Sequence, residues 1–589
     1  MLKGIGVSSG VVEGKAYLVE RQKISAPQYY IEKSKTPNEI KRLERAIALA
    51  REQIKSAHRK VDPQEGRDII YYILDAQLMI LKDDMLIRSI TDHIEKDRIN
   101  AEWALEKVLK RFGDIFNSLE DKYLQEKKND IDYVGERLLR NLMGREQETI
   151  SQIQDEVILV AHDFSPADTA QMAKGKILGF ATDMGSRISH TAIMARSLEI
   201  PAVVGLENVT EYVKTGDFIV VDGLAGEVII NPTSVMVSKY KEKERSYRFS
   251  FEELLKSRDL SAETRDGFRV KLKANIELIE EVPSIREHGA EGIGLYRTEF
   301  LYLNRKKPPS EEEHFRNYRE AVENVAPHSA TIRTLDLGGD KYASQIELAE
   351  ELRSSPGLRA IRLCLKDVDL FKTQLRGMLR ASAYGKLKIM LPMISEIKEL
   401  HQTKEILEEV KDELRTKGIP FDDKIQLGIM IETPSASLTA DILAPEVDFF
   451  SIGTNDLIQY SMAIDRVNEH VAYLYDPFHP AILRLIKRVV AAAKESKIKV
   501  GICGEMAGEE IYLPILLGLG LEELSMNSIS IPRVKKIIRS ITYKEARELV
   551  ERASALKTAA EVEGLVRNDI KRRFPEINYS LKEEIAYGA

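Results

Sequence analysis

The apolar and polar positions of this chain change their period several times, and each change marks a different kind of element. Residues 1–20 read as short strands broken by glycine turns, GIGVSSG followed by VVEGKAYLV. From 39 to about 141 apolar residues recur at helical spacing with almost no Gly or Pro. ERAIALAREQI, DIIYYILDAQLMIL and AEWALEKVLKRFGDIF each carry one apolar stripe, which predicts a helical bundle. Strand signals return with EVILVAH (156–162), KILGFATD, PAVVG and FIVVDGLAGEVIINP, which together form a compact α/β unit. The N-terminal strands have no core of their own and are expected to join this unit, leaving the bundle as an insertion. The stretch 240–265 is densely charged and reads as a linker helix.

Eight short apolar runs then alternate with helix-length segments. They are KLKANI (271–276), GIGLYR (292–297), TIRTLD (331–336), KIMLPM (388–393), QLGIMI (426–431), FFSIGT (449–454), KVGICG (499–504) and ELSMNS (523–528). Eight strands alternating with helices predict a (β/α)8 barrel, whose chemistry gathers at the C-terminal strand ends. The expected fold class is thus multidomain α/β: a β/α domain with an inserted helical bundle, a linker helix and a C-terminal TIM-type barrel.

Composition narrows the class. A chain of 589 residues exceeds one core, so three or four domains are expected. With 43% hydrophobic and 31% charged residues it has a globular composition, and a net charge of −7 gives no support to nucleic-acid binding. Two cysteines, Cys364 and Cys503, argue against a disulfide framework and fit a reducing cytoplasm. MLKGIGVSSG lacks a signal-peptide core, and IYLPILLGLGL falls short of the ~20 residues that span a bilayer. Cytoplasmic residence without membrane insertion is the expectation.

Two places carry candidate chemistry. In GSRISHTAIMARSLEIPAVVG (185–205), His190 stands directly before a helical run that ends at Pro201. Unpaired N–H groups and the positive dipole end keep an imidazole there neutral, and would stabilise a phosphoryl group placed on it. A lone His beside Ser and Thr is more often an ordinary polar residue at a helix start. The second place is the barrel rim. Arg297, Arg333 and Arg466 suit a phosphate and a carboxylate together. Glu432 and Asp456 supply hard oxygen ligands in a number that suits Mg²⁺, and a thiol at Cys503 can give a proton to carbon. Each has a bland reading alone; together at one barrel mouth they do not.

The motifs SRISHTAIMARSLEIPAVVG, GIGLYRTEFLY, RTLDLGGDK, GIMIETPSA, FFSIGTNDLIQY with IDR, DPFHPA and GICGEMAG follow one another as in a known family. The chain resembles enzyme I of the phosphoenolpyruvate-dependent sugar phosphotransferase system over essentially its whole length. The resemblance implies phosphoryl transfer from phosphoenolpyruvate to His190, release of pyruvate, and onward transfer to the histidine phosphocarrier protein HPr. It implies Mg²⁺ on Glu432 and Asp456, substrate contacts from Arg297, Arg333, Asn455, Asp456 and Arg466, and proton donation by Cys503. A homodimer through the barrel is also implied, as is HPr docking on the helical insertion, where Gln77 stands at a position often occupied by His. Expected domains are 1–21 with 146–233 (phosphohistidine), 22–145 (HPr-binding), 234–261 (linker helix), 262–572 (barrel) and a tail, 573–589. The family's N-P-x-L-G-x-R loop is here Ser-Ser-Pro-Gly-Leu-Arg (354–359), two residues shorter, which leaves the role of Arg359 open. Alternative classes are a Mg²⁺-dependent pyruvate-enolate lyase or aldolase and a non-catalytic regulatory paralogue.

Overall fold

The computed structural model describes every residue except 9, 20–25, 61–77, 118–130, 132–133, 145–152, 154, 165–175, 186–190, 193–194, 196–199, 303–307, 338–356, 466–470 and 574–589. His190, Arg466 and Gln77 therefore lie outside the described residues. The chain divides into two compact units, Met1–Phe249 and Ser250–Ala589.

In the first unit the glycine-punctuated N-terminus forms β1 (Leu2–Lys3), β2 (Ile5–Ser8) and β3 (Val11–Leu18). These pair with β4 (Val157–Ala161), β5 (Ile177–Thr182), β6 (Ala202–Val204), β7 (Phe218–Asp222) and β8 (Glu227–Ile230). The sheet order is β1-β8-β7-β3-β4-β5-β6-β2. Its centre, from β3 through β4 and β5 to β6, is parallel. The all-apolar run of β4 suits a strand covered on both faces. Leu159 and Ala161 feed one core while Ile158 and Val160 feed another.

Between β3 and β4 the chain forms α1 (Thr36–Lys60), α2 (Asp84–Lys96) and α3 (Ala101–Asn117), followed by helical residues 134–142. Leu43, Ile47, Ala50 and Ile54 make one stripe of α1 and pack with Ile90, Ile94, Leu105 and Leu138. The charged linker becomes α4 (Ser234–Leu255). Its first half is tied to the sheet: Tyr240 is buried beside Val11, Val220 and Ile229. Lys243 also pairs with the buried Asp222 at 2.5 Å.

The second unit is a closed parallel barrel. Its strands are β9 (Lys271–Ile276), β10 (Gly292–Tyr296), β11 (Ser329–Arg333), β12 (Lys386–Leu391), β13 (Gln426–Ile431), β14 (Phe449–Ile452), β15 (Lys499–Ile502) and β16 (Glu523–Met526). β16 pairs with β9 to close it, with Glu523 opposite Lys271 and Met526 opposite Ala274. Strands β11 and β12 begin two residues before their expected starts. Leu335 and Leu337 continue the apolar pattern of β11 but are buried in a loop, and Pro392 with Met393 (φ 57°) ends β12. Around the barrel run α5 (Glu311–Asn324) and α6 (Val368–Ser382), among other helices. Inside, a middle layer of Leu295, Met390, Met430, Phe449 and Cys503 separates the charged mouth from a lysine-bearing floor. Gly428 admits the Phe449 ring, since a Cβ there would meet Cζ at 2.4 Å. Among the described residues no helix is long and apolar enough to cross a membrane.

Candidate active site at the barrel mouth

Each expected barrel residue that is described lies at a C-terminal strand end. Arg297 directly follows β10, Arg333 ends β11, Glu432 follows β13 and Cys503 follows β15. Asn455 and Asp456 open the helix Thr454–Met462 after β14. That position follows from parallel strands, whose carboxyl ends all point to one rim.

The arginines are held by carboxylates. Arg297 Nη1 donates to Glu277 Oε1 at 2.5 Å. Arg333 Nη2 donates to Glu299 Oε1 at 3.0 Å, and its Nη1 lies 2.8 Å from Asp336 Oδ2. Burial opposes the Arg333 charge, but Asp336, Glu299 and Glu432 outweigh it and keep the guanidinium firmly protonated. Its Nε is buried with no hydrogen-bond partner among the described residues, a donor left over for a ligand.

Arg359 belongs to the same group. It donates to Asp336 Oδ1 at 2.7 Å, to Asp456 Oδ2 at 3.4 Å and to the Tyr460 hydroxyl at 3.2 Å. Ala360, next in the chain, takes φ 55° and donates to the Leu337 carbonyl, which fixes the turn that aims Arg359 inward.

Three buried carboxylates, Asp336, Glu432 and Asp456, offer oxygens within 4.8 Å of one another. Asp336 was not among the expected ligands; its signal in the sequence is the R-T-L-D spacing that follows Arg333. Burial, then the charges of Asp336 and Asp456, push the Glu432 carboxyl well above the usual carboxylate range. Glu432 Oε1 accepts from the Met393 N–H at 2.6 Å, and Gly453 leaves it room, since a Cβ there would lie 2.9 Å from Oε2. A divalent cation relieves such mutual repulsion, and hard carboxylate oxygens too few for a full cage fit an ion that keeps water and substrate ligands.

Beneath these groups lies Cys503, buried beside Met430. Burial pushes its thiol up to about 11, so at neutral pH it carries its proton. Asn275 Nδ2 donates to the Cys503 carbonyl at 2.9 Å, and its Oδ1 accepts from Ser525 Oγ at 2.6 Å, which anchors the β15 end. The Asn455 amide is fixed reciprocally: it donates to Glu505 Oε1 at 3.2 Å and accepts from the Glu505 N–H at 3.1 Å.

In the first unit, residues 191, 192 and 195 are helical and Ala192 and Ala195 are buried. Thr191 Oγ1 donates to Asp163 Oδ1 at 3.1 Å, fixing the chain immediately after position 190.

Family profiles for phosphoenolpyruvate (PEP)-utilising enzymes match successive parts of the chain: the N-terminal domain over 3–127, the mobile domain over 153–226 and the PEP-binding domain over 252–543. Barrel, rim chemistry and profiles together define a PEP-utilising enzyme. The phosphoenolpyruvate-protein phosphotransferase of Staphylococcus carnosus is 45% identical over 565 residues, 96% of this chain and 98% of its own. That of Geobacillus stearothermophilus is 45% identical over 566 residues, 96% and 97% of the two chains. A solution structure of an enzyme I protein matches 42% of this chain and all of its own at 43% identity, with a TM-score of 0.37. The chain belongs to the phosphoenolpyruvate-protein phosphotransferase family, the enzymes I, and is a transferase. Lyase and regulatory readings are set aside, because those relatives span nearly the whole chain.

Proposed function

We propose that this chain carries out the first step of the sugar phosphotransferase pathway, moving the phosphoryl group of PEP to His190 and from there to HPr. The observation that carries the reading is the convergence of Arg297, Arg333 and Arg359 with Asp336, Glu432 and Asp456 directly above Cys503. In this reading residues 1–21 with 146–233 form the phosphohistidine domain, 22–145 dock HPr, 234–261 link, and 262–572 bind PEP and dimerise. Residues 573–589 form a tail, and the enzyme works in the cytoplasm.

Arg297 and Arg333 bind the substrate's phosphate and carboxylate, aided by the Asn455 amide and by Arg466. Mg²⁺ held by Glu432 and Asp456, with Asp336 alongside, would neutralise phosphate charge. His190 attacks phosphorus in line; the P–N bond forms as the P–O bond to enolpyruvate breaks, and catalysis is positioning plus charge compensation. The Cys503 thiol gives its proton to the methylene carbon, pyruvate leaves, and solvent reprotonates the sulfur. With α4 tied to the first unit through Tyr240 and Lys243, the swivel of the phosphohistidine domain falls beyond Lys243. Incubation with labelled PEP and Mg²⁺, then peptide mapping at alkaline pH, should place one phosphoryl group on His190. Adding HPr should remove it. Label on any other residue, or undiminished transfer by His190→Ala, would overturn the reading.

A further inference from the structure

The barrel carries a second charged cluster at its N-terminal end, on the far side of the Phe449 layer from the mouth. Lys273, on β9, is buried; it pairs with Glu523 at 2.9 Å and donates to Ser329 Oγ at 3.3 Å. Lys388 lies on β12 two residues before Met390, on the same inward face, with Nζ 5.0 Å from the centroid of the Phe449 ring. Lys271 and Lys499 begin β9 and β15 at this rim. Among the described residues the charges that act most strongly on Lys388 are three amines, from Lys273, Lys499 and Lys271, and one carboxylate, Glu523. Glu523 is already engaged by Lys273. Among the described residues the Lys388 amine has an aromatic face beneath it and no ion pair of its own.

We propose that Lys388 is a nucleophilic lysine, a site where the barrel floor takes up an acyl group from small acyl phosphates. Partial burial strips water from the ammonium and three like charges disfavour it, against the attraction of the ring face and Glu523, so the free amine gains weight. Burial, then Lys273, pushes Lys388 down to about 8. At pH 7.4 such an amine is about one-fifth neutral, against about one part in a thousand at the ordinary lysine value. The same excess of positive charge at the rim concentrates an anionic donor there.

In the step itself, the Nζ lone pair forms the N–C bond to the acyl carbon as the C–O bond to phosphate breaks. Inorganic phosphate leaves with that electron pair, and the amine proton passes to phosphate or water. The product is a neutral amide that removes one of the crowded charges. The floor is separated from the mouth by the middle layer, so the modification is distinct from phosphoryl transfer.

The full-length protein is incubated with acetyl phosphate, and acetylation is timed at each lysine by peptide mass spectrometry. Lys386, exposed two residues earlier on β12, is the internal comparison within one peptide region. At pH 7.4 Lys388 should acetylate at least tenfold faster than Lys386, and its rate should level off above about pH 8. Uncharged p-nitrophenyl acetate should preserve this preference but reduce it several-fold, since it is not recruited by the rim. Glu523→Gln should speed Lys388 several-fold at pH 7 by removing the carboxylate that most favours its charged form. Equal or slower labelling of Lys388, or a rate still climbing beyond pH 10, would overturn the proposal; because that comparison uses the unaltered protein, it holds even if Glu523→Gln does not fold.

Discussion

Replacing Gln374 by Leu tests how the loop bearing Arg333 and Asp336 is held in place. Gln374 sits on α6 and is 1% exposed. Its Oε1 accepts from the Leu335 N–H at 2.9 Å, and its Nε2 donates to Thr298 Oγ1 at 3.2 Å and to the Tyr318 hydroxyl at 3.1 Å. Thr298 in turn donates to the Arg333 carbonyl at 2.9 Å, and Tyr318 meets His314 Nδ1 at 3.0 Å. One amide thus grips Leu335 and Thr298, the residue after Arg297, directly and, through Thr298, the Arg333 carbonyl on the other side of Thr334. Leucine keeps the volume but leaves the Leu335 N–H without its acceptor, costing about 1–3 kcal/mol, while the two bonds whose partners keep another contact cost about 0.5–1.5 kcal/mol each. The barrel should therefore lose about 2–6 kcal/mol, read as a lowered urea midpoint. A loop shift near 1 Å costs on the order of 100-fold in rate, so kcat for PEP-dependent phosphorylation should fall between ~10- and ~100-fold as KM for PEP rises. Gln374→Glu, which retains the acceptor for Leu335, should recover part of both. A destabilised Gln374→Leu with unaltered kcat and KM would refute the positioning role, and an unaltered midpoint would refute the hydrogen-bond accounting.

Other consequences follow from single groups. Cys503→Ala should leave PEP binding within about twofold by calorimetry yet slow pyruvate release ~100-fold or more, because the proposed mechanism loses its proton donor while the charged groups that hold the substrate remain; loss of binding would contradict the donor role. Glu545 caps the helix Tyr543–Ser554, and although burial works against it, the Thr542 N–H and Arg573 hold its carboxyl down to about 2. A folded value below the ordinary one contributes stability that is complete above about pH 4.3 and is lost as pH falls toward 2. Urea midpoints measured from pH 6 to 2 should accordingly fall less steeply in Glu545→Gln than in the unaltered protein.

Hydrophobic period alone located all eight barrel strands, because each is a short apolar run between helix-length segments. Residue type at the strand ends then pointed to Arg297, Arg333, Glu432, Asp456 and Cys503. What escaped depends on contacts between distant segments. Arg359 reaches Asp336 and Asp456 only through the left-handed turn at Ala360, and no periodicity encodes such a turn. Gln374 left a signal: it interrupts the buried stripe of Leu370, Phe371, Leu375 and Met378 on α6, and a polar residue in such a stripe needs a partner. The floor lysines are hidden for a different reason. Both faces of a barrel strand are covered, so alternation in KLKANI does not tell inside from outside, and Lys273 and Lys388 face inward.

Charge at the mouth also dictates an order of binding. Among the described residues, Arg297, Arg333 and Arg359 meet Glu277, Glu299, Asp336, Glu432 and Asp456, so three guanidinium groups face five carboxyl groups. PEP entering such a site adds negative charge to an existing excess, whereas the carboxylates gain by first engaging a divalent cation. Titration of the enzyme with PEP in a chelator should give no measurable heat, and Mg²⁺ should restore it. Asp336→Asn separates charge from mere structure. It removes one anionic neighbour from Glu432 and loosens Arg333 and Arg359, so Mg²⁺ affinity should fall about tenfold or more while weak PEP binding without metal becomes detectable. If Asp336→Asn instead abolished metal-dependent binding and no metal-free binding emerged, with the fold intact by circular dichroism, electrostatic excess could not be what sets the order.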